Sequence, residues 1–203
     1  MLARLEAARV LPDAVNGPTT SKTLGEALQH ALVYPDFSAL AKREDPEGLF
    51  EAAAWATACA RGGMEEAALR CNDVNLHATE YADRLLIRAA SAQQSGAIIT
   101  LAMRPLTQWN NIPLAHGDML RDQVFSIAAH GNVQALGLLG KLCSAPGECR
   151  NEQLTQNVLT ILPIGLIAPS MISSYGAHLS GSSADQQQAI DRAAQLRRTL
   201  SWQ

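Results

Sequence analysis

Residues 90–102 read ASAQQSGAIITLA and residues 128–140 read AAHGNVQALGLLG, and these two stretches decide the fold. With Ala90 aligned on Ala128, they share alanine at the first and eighth positions and leucine at the twelfth. A fixed period of about 30 to 45 residues with two helices per unit is typical of an α-solenoid. Small residues at these positions allow two helices to pack at short distance. The alternative is that alanine-rich helices align with each other at many offsets.

The apolar faces that precede the two stretches also correspond. Leu86 and Ile87 align with Val124 and Phe125 at the same offset. A further step backward reaches Trp55 and a step forward reaches Leu166 and Pro169, where the match is weak. The repeat is therefore defined by two units.

The composition favours helices throughout the chain. Alanine and leucine account for 34 and 27 of the 203 residues, and both have high helix propensity. A content of 47% apolar residues is enough to build a core, which argues against disorder. The net charge of −3 lacks the basic excess typical of nucleic-acid binding. We therefore predict an all-α protein.

Capping signals and apolar periodicity predict helices along the whole chain. Asp45 and Pro46 form a typical helix start, and Gly62 and Gly63 form a stop. We divide the chain into an N-terminal helical segment (1–42), a helical-repeat region (43–150), and an apolar hairpin with a C-terminal capping helix (151–203). The other predicted helices are Lys22–Val33, Met64–Arg70, Tyr81–Ala92, Ala97–Met103, Arg121–Ala129, Val133–Leu142, Asn151–Leu162, Ile167–Leu179 and Ala184–Leu200.

An uncharged stretch, Gln153–Ala184, is the most apolar part of the chain. Its most continuous run, Val158–Ile172, is shorter than the 18 or more residues expected of a membrane span and contains two prolines. We predict a buried helical hairpin without a transmembrane segment. The alternative is a surface that binds a membrane or a partner. The first ten residues lack the apolar core of an intact signal peptide.

Four cysteines form two local pairs, Cys59 with Cys71 and Cys143 with Cys149. The second pair encloses a Pro-Gly turn, which brings its flanking residues within disulfide range. An even number of paired cysteines fits an exported protein in an oxidising compartment. The alternative is four buried free thiols in a cytosolic helical protein.

The pattern A-x2-G-x3-A-x3-L-G, after a helix ending in Ala89-Ala90 or Ala128-Ala129, resembles the Sel1-like branch of the tetratricopeptide superfamily. The resemblance covers about Tyr81–Cys143. It implies a right-handed α-solenoid of antiparallel helix pairs that acts as a protein-interaction scaffold. Some exported members carry a disulfide within each unit, and the two local cysteine pairs are similar to that arrangement.

The sequence also departs from that family. The aromatic and Gly-x-Gly connector between units is replaced by Pro105–Asp118, and Gln93 and Ala102 stand where glycine is usual. Ankyrin repeats are the nearest competitor, because residues 128–139 resemble their second helix. However, the Thr-Pro-Leu-His turn of ankyrin repeats does not occur in the sequence.

The sequence contains no strong match to a catalytic or metal-binding motif. Cys71 with His77, and His116 with Asp118, are the closest metal-ligand pairs, but neither has the spacing that holds two ligands on one metal. The sequence has no G-x-S-x-G motif and no glycine-rich phosphate-binding loop. We predict neither a metal nor a cofactor. The alternative is a helical secreted hydrolase or effector that uses a cysteine or a glutamate.

Five residues are the candidate contacts for a partner protein or peptide. Tyr81, Arg84 and Arg88 lie at i, i+3 and i+7 on one predicted helix face, and Arg121 could extend this stripe from the next unit. Arginine binds carboxylates in bidentate fashion, and both arginine and tyrosine are enriched at interfaces. Trp109 lies in the irregular connector, where an indole is either a core residue or an anchor for a partner. The alternative for the stripe is an ordinary solvated face.

These observations predict a scaffold or adaptor for protein–protein interaction, without intrinsic catalysis and in a periplasmic or secreted location. Besides the helical hydrolase, a second alternative is a structural homo-oligomer assembled through residues 153–184.

Overall fold

A computed structural model describes residues 1–8, 20–62, 70–145, 148–149, 152–172 and 178–200, apart from the side chains of Asn110 and His116. Every regular element in these ranges is helical, and the two-residue bridge between Pro113 and Met119 is isolated. The predicted all-α class is therefore confirmed. The α-helices are α1 (Leu2–Ala8), α2 (Leu24–Ala31), α3 (Phe37–Leu40), α4 (Pro46–Arg61), α5 (Thr79–Ser91), α6 (Ser95–Ala102), α7 (Leu120–Ala129), α8 (Val133–Ser144), α9 (Gln153–Ile167) and α10 (Ser183–Thr199). Short 3-10 helices are Val74–His77, Leu106–Asn111, Ala115–Gly117 and Pro169–Met171.

The chain forms two compact units. The central unit is Lys22–Gln123, and the terminal unit combines Met1–Ser21 with Val124–Gln203. These limits differ from the segment boundaries at 42 and 150 that we expected from the sequence. Three predicted helices extend outside the described residues: Met64–Arg70 at residues 64–69, Asn151–Leu162 at residue 151, and Ile167–Leu179 at residues 173–177.

Helix α4 is the centre of the central unit and packs against α2, α3 and α5. Its start and end follow the sequence signals. The Asp45 carboxylate accepts a hydrogen bond from the Gly48 N–H at 3.0 Å, and Pro46 occupies the first turn. The helix ends at Gly62, whose φ of +60° is in the left-handed region that glycine adopts readily.

Helix α6 closes the central unit against the start of α2 and the side of α4. At Gly96 an added Cβ would lie 2.5 Å from the Lys22 carbonyl oxygen and 2.6 Å from the Phe50 ring. Real Cβ atoms do not approach that closely. Glycine is therefore required here for the close approach of these segments.

In the terminal unit, α9 packs between α8 and α10. Helix α1 contacts α7 and α10. Leu5 of α1 is fully buried. Glu6 accepts a hydrogen bond from Arg192 at 2.9 Å, and the Arg4 guanidinium lies 4.5 Å from the centroid of the Phe125 ring. Helix α1 is therefore fixed by both packing and charge.

Helix α9 continues to Ile167, past the predicted end at Leu162. Pro163 lies inside it and has no N–H to donate to the carbonyl of Leu159, four residues earlier. At Gly140 of α8 an added Cβ would lie 3.7 Å from that same carbonyl oxygen. That distance is an ordinary van der Waals contact, so the Leu159 carbonyl oxygen lies against α8.

The connection between α5 and α6 has the same local geometry as the connection between α7 and α8. Gln93 and Gly131, which occupy equivalent positions in the two aligned stretches, both have a positive φ, of +63° and +84°. In each case the next N–H bonds to a carbonyl five residues back: Gln94 to Ala89 at 3.1 Å, and Asn132 to Ile127 at 3.1 Å. The offset found in the sequence is therefore an offset in backbone geometry as well.

The next residue in each connection caps the following helix. The Gln94 side-chain oxygen accepts from the Ala97 N–H at 2.9 Å, and the Asn132 side-chain oxygen accepts from the Ala135 N–H at 2.9 Å. This turn geometry does not recur one period earlier in the sequence. The position equivalent to Gln93 is Trp55, which lies inside α4.

Both predicted cysteine pairs are disulfides. The Cα atoms are 5.7 Å apart in Cys59–Cys71 and 4.8 Å apart in Cys143–Cys149. No cysteine remains free. The first bridge lies in the central unit and the second in the terminal unit.

Candidate partner-binding surface

Three of the predicted contact residues lie on α5. Tyr81 is half-buried, whereas Arg84 and Arg88 are exposed and lie one helical turn apart. The opposite face of the helix is buried and consists of Ala82, Leu85, Leu86, Ala89 and Ala90. The buried face fixes the orientation of α5, so the two arginines point away from the core.

A row of aromatic rings packs against the inner side of Tyr81. The Tyr81 ring packs edge-on against Phe37 with centroids 6.2 Å apart, and Phe37 packs edge-on against Trp55 at 6.3 Å. The Arg84 guanidinium carbon lies 5.6 Å from the Tyr81 centroid. A cation at this distance from a ring is attracted to its electron-rich face. Tyr81 therefore restrains Arg84 without using its N–H donors.

Neither Arg84 nor Arg88 has a carboxylate partner among the described residues. The acidic residue nearest to them in the middle of α5, Asp83, forms a salt bridge with Arg104 at 2.5 Å. Exposed guanidinium groups retain five donors in a planar fork that matches carboxylate geometry. We call the exposed group formed by Tyr81, Arg84 and Arg88 the α5 surface.

Arg70 braces the row of aromatic rings beneath the α5 surface. Its guanidinium donates hydrogen bonds to the carbonyls of Tyr34, at 3.2 Å, and Pro35, and lies 5.7 Å from the Trp55 ring centroid. Arg70 has a φ of +49° and precedes Cys71 of the first disulfide. The disulfide therefore anchors the residue that joins the α2–α3 connection to Trp55. No sequence pattern pointed to this role of Arg70.

Trp109 is fully buried, and its indole N–H donates to the Ala102 carbonyl at 3.0 Å. Of the two alternatives left open by the sequence, the structure therefore shows the core position. A buried indole offers no surface to a partner, so Trp109 does not belong to the α5 surface. Arg121 is half-buried and already engaged in an interaction of its own, so it does not add an unoccupied cation.

A second polar cluster surrounds Glu51. No pattern in the sequence predicts this cluster. The Glu51 carboxylate is buried and accepts from Arg43 at 2.8 Å, while His30 Nδ1 lies 3.8 Å away. Arg43 also donates to the Tyr34 hydroxyl at 2.7 Å and to both oxygens of Asp45. The hydrogen bonds from Arg43 lower the pKa of Asp45, and the same contact raises the pKa of Arg43. All five groups are contributed by α2 and α4 or the segment between them, so the cluster holds these elements together.

The cysteines considered for the catalytic alternative are bonded in pairs. Because all four cysteines are in disulfides, no thiol is available as a nucleophile. Among the described residues, no three histidine, cysteine, aspartate or glutamate side chains are grouped as a metal site. His77 Nε2 lies 3.0 Å from the Cys71 carbonyl, which is a structural contact.

Within the same part of the chain, no helix is both long and apolar enough to cross a membrane.

No protein-family model, curated protein or solved structure matches the chain.

Proposed function

We propose that the protein is an interaction module that binds an acidic segment of a partner protein through the α5 surface. The observation that carries this proposal is the pair of exposed arginines, Arg84 and Arg88, whose donors are not used by any carboxylate in the described residues.

The rigidity of the α5 surface supports the proposal. A side chain that is already restrained loses less conformational freedom on binding. Arg84 is restrained by Tyr81, which is itself fixed through Phe37 and Trp55. Two guanidinium groups one turn apart suit a partner that carries two or more neighbouring carboxylates.

The architecture is part of the same proposal. We propose a right-handed α-solenoid of antiparallel helix pairs, of the Sel1-like tetratricopeptide type. The repeated geometry at Gln93 and Gly131, and the repeated caps at Gln94 and Asn132, support the repeat found in the sequence. The two disulfides support a periplasmic or secreted location, since disulfides persist in oxidising compartments.

Charge reversal on α5 tests the proposal. The full chain, its variant Arg84→Glu/Arg88→Glu and a control variant Lys42→Glu/Arg198→Glu would each be titrated with a fluorescent peptide rich in Asp and Glu. The control makes the same change in net charge at two exposed cations elsewhere. We expect binding that falls as salt rises, is lost in the α5 variant and is retained in the control.

Equal weakening in both variants would mean that binding follows net charge, and the proposal would then be wrong. The same would follow if an amide version of the peptide, with Asn and Gln in place of the acids, bound equally well. Capture of native partners by the three proteins would then show whether the physiological partner contains such a segment.

A second candidate function is structural homo-oligomerisation, and exposed apolar side chains at the end of α9 favour it. Ile167 is 68% exposed and Met171 is 47% exposed, within the uncharged stretch of the sequence. Apolar side chains clustered on a surface are common at protein interfaces. Ile167→Asp/Met171→Asp should abolish any dimer seen by sedimentation velocity. Met103→Asp, at an exposed methionine of the central unit, should leave it unchanged.

A further inference from the structure

An open groove runs between α2 and α4, away from the α5 surface residues. Its volume is about 290 Å³. Its lining consists of Leu24, Gly25 and Leu28 from α2, and Ala54, Thr57, Ala58 and Arg61 from α4.

Small side chains create this groove. Ala54, Thr57, Ala58 and Arg61 follow each other at i, i+3, i+4 and i+7, so they form one stripe along α4. On α2, a Cβ added at Gly25 would meet only the Thr23 hydroxyl oxygen, at 3.9 Å, so the space above it is open. The two leucines stay half-exposed as walls instead of closing over the stripe.

The groove carries one cation and no free polar group from α4. The Thr57 hydroxyl donates to the Ala53 carbonyl at 2.7 Å, so it is used inside the helix. Arg61 is the last residue of α4 and is exposed, and it has no carboxylate partner among the described residues. The groove therefore offers apolar walls with a positive charge at one end.

We propose that this groove binds an unbranched aliphatic carboxylate of about eight to ten carbons. The tail would lie along Leu24, Leu28 and Ala58, and the carboxylate would bind the Arg61 guanidinium. A water molecule occupies about 30 Å³ in the liquid, and a methylene group occupies a similar volume. The groove volume of 290 Å³ therefore accommodates roughly ten such groups. An apolar cleft with one oriented polar group is the usual form of a small-molecule site.

The binding of a chain-length series tests the apolar part of the proposal. Hexanoate, octanoate and decanoate would be titrated into the full-length, oxidised protein by calorimetry, below the concentrations at which they form micelles. Each buried methylene should tighten binding about fourfold, so decanoate should bind about fifteenfold tighter than octanoate. Affinity independent of chain length would overturn the proposal.

Two pairs of variants test the site. Arg61→Gln should weaken decanoate binding about tenfold or more and leave binding of neutral decanol within about twofold. Arg198→Gln, which removes an exposed arginine outside the groove, should change neither. Ala58→Trp should abolish binding of both ligands by filling the groove, whereas Ala41→Trp, at an exposed position outside it, should not.

Three further outcomes would contradict the inference. One is unchanged decanoate binding in an Ala58→Trp protein whose circular dichroism shows the native helix content. Another is equal affinity for decanoate and decyltrimethylammonium, which would show that the charge of Arg61 has no role. The last is a dimeric wild type that Ala58→Trp converts to a monomer, because the groove would then be a protein interface.

Discussion

The side chains of Gln94 and Asn132, at equivalent positions of the two aligned stretches, perform the same two tasks. Each accepts a hydrogen bond from the N–H three residues later, and each donates from its amide nitrogen to a distant residue. Gln94 donates to Glu47 of α4 at 3.1 Å, and Asn132 donates to Ser21 at 2.8 Å. Both amides are almost fully buried. A single side chain thus starts a helix and attaches it to an earlier part of the chain.

Removing either amide should therefore destabilise the protein more than the loss of a solvent-exposed helix cap would. We expect Gln94→Ala and Asn132→Ala each to lower the free energy of unfolding by about 1.5 to 3 kcal/mol, because a cap and a buried hydrogen bond are lost together. Urea denaturation followed by circular dichroism measures this. Gln29→Ala, at an exposed position in α2, is the matched control and should stay within about 0.5 kcal/mol of wild type. Losses in the two amide variants no larger than in the control would contradict the role assigned to them.

Two glycine substitutions should have opposite effects. Gly96→Ala places a Cβ against the Lys22 backbone and the Phe50 ring, and overpacking of this kind costs about 1 to 3 kcal/mol. Gly137→Ala, inside α8, meets nothing within 4 Å and should stabilise the protein by about 0.5 to 1 kcal/mol. Thermal unfolding of both variants measures the difference. A Gly96→Ala variant as stable as Gly137→Ala would contradict the close packing of α6 against α2 and α4.

The charge of Asp45 should make stability depend on acid pH. Arg43 lowers the pKa of Asp45 below its ordinary value of 3.8, so the unfolded chain takes up this proton at a higher pH than the folded protein does. The stabilisation is present above about pH 4 to 5 and is lost as the pH falls through the lowered pKa. Asp45→Asn keeps a good helix cap but lacks the charge. Its difference in stability from wild type should be largest near pH 6 and should shrink towards about pH 2.

Unfolding by urea at several pH values measures that difference. Glu44→Gln, at the neighbouring exposed position, provides the comparison. A gap between wild type and Asp45→Asn that stays constant from pH 6 to pH 2 would show that the Arg43 contact does not hold the carboxylate in its charged form.

The disulfides should account for a large share of stability. Closing loops with sequence separations of 12 and 6 is worth about 3 and 2 kcal/mol, respectively, by chain entropy alone. Cys59→Ala/Cys71→Ala should therefore destabilise the protein more than Cys143→Ala/Cys149→Ala. Thiol titration of the unreduced, denatured chain should find no thiols, and the reduced chain should show four. Four thiols in unreduced material would exclude both bridges.

Much of the fold follows from local signals in the sequence. Asp45 and Pro46 begin α4, Gly62 ends it, and the offset that aligns Gln93 with Gly131 corresponds to equivalent backbone turns. These features depend on residues within a few positions of each other, and for that reason they are visible in one sequence.

Other features depend on contacts between distant residues and could not be predicted. Glutamine is not a preferred helix cap, so the role of Gln94 depends on its partner Glu47, 47 residues away. Arg70 supports the α5 surface through carbonyls 35 and 36 residues before it. The burial of Trp109 depends on an acceptor in α6 that only the folded chain supplies.

The packing of α1 has a consequence for the order of events during synthesis. Helix α1 is synthesised before Phe125 and Arg192, which it contacts and which follow it by more than a hundred residues. The central unit, with both cysteines of the first disulfide, is a compact part of the chain within Lys22–Gln123 and is synthesised before Arg192. Contacts with such large sequence separation form slowly. Helix α1 therefore cannot make these contacts until Arg192 has been synthesised, and apolar surface such as Leu5 that is uncovered in the meantime is prone to aggregation.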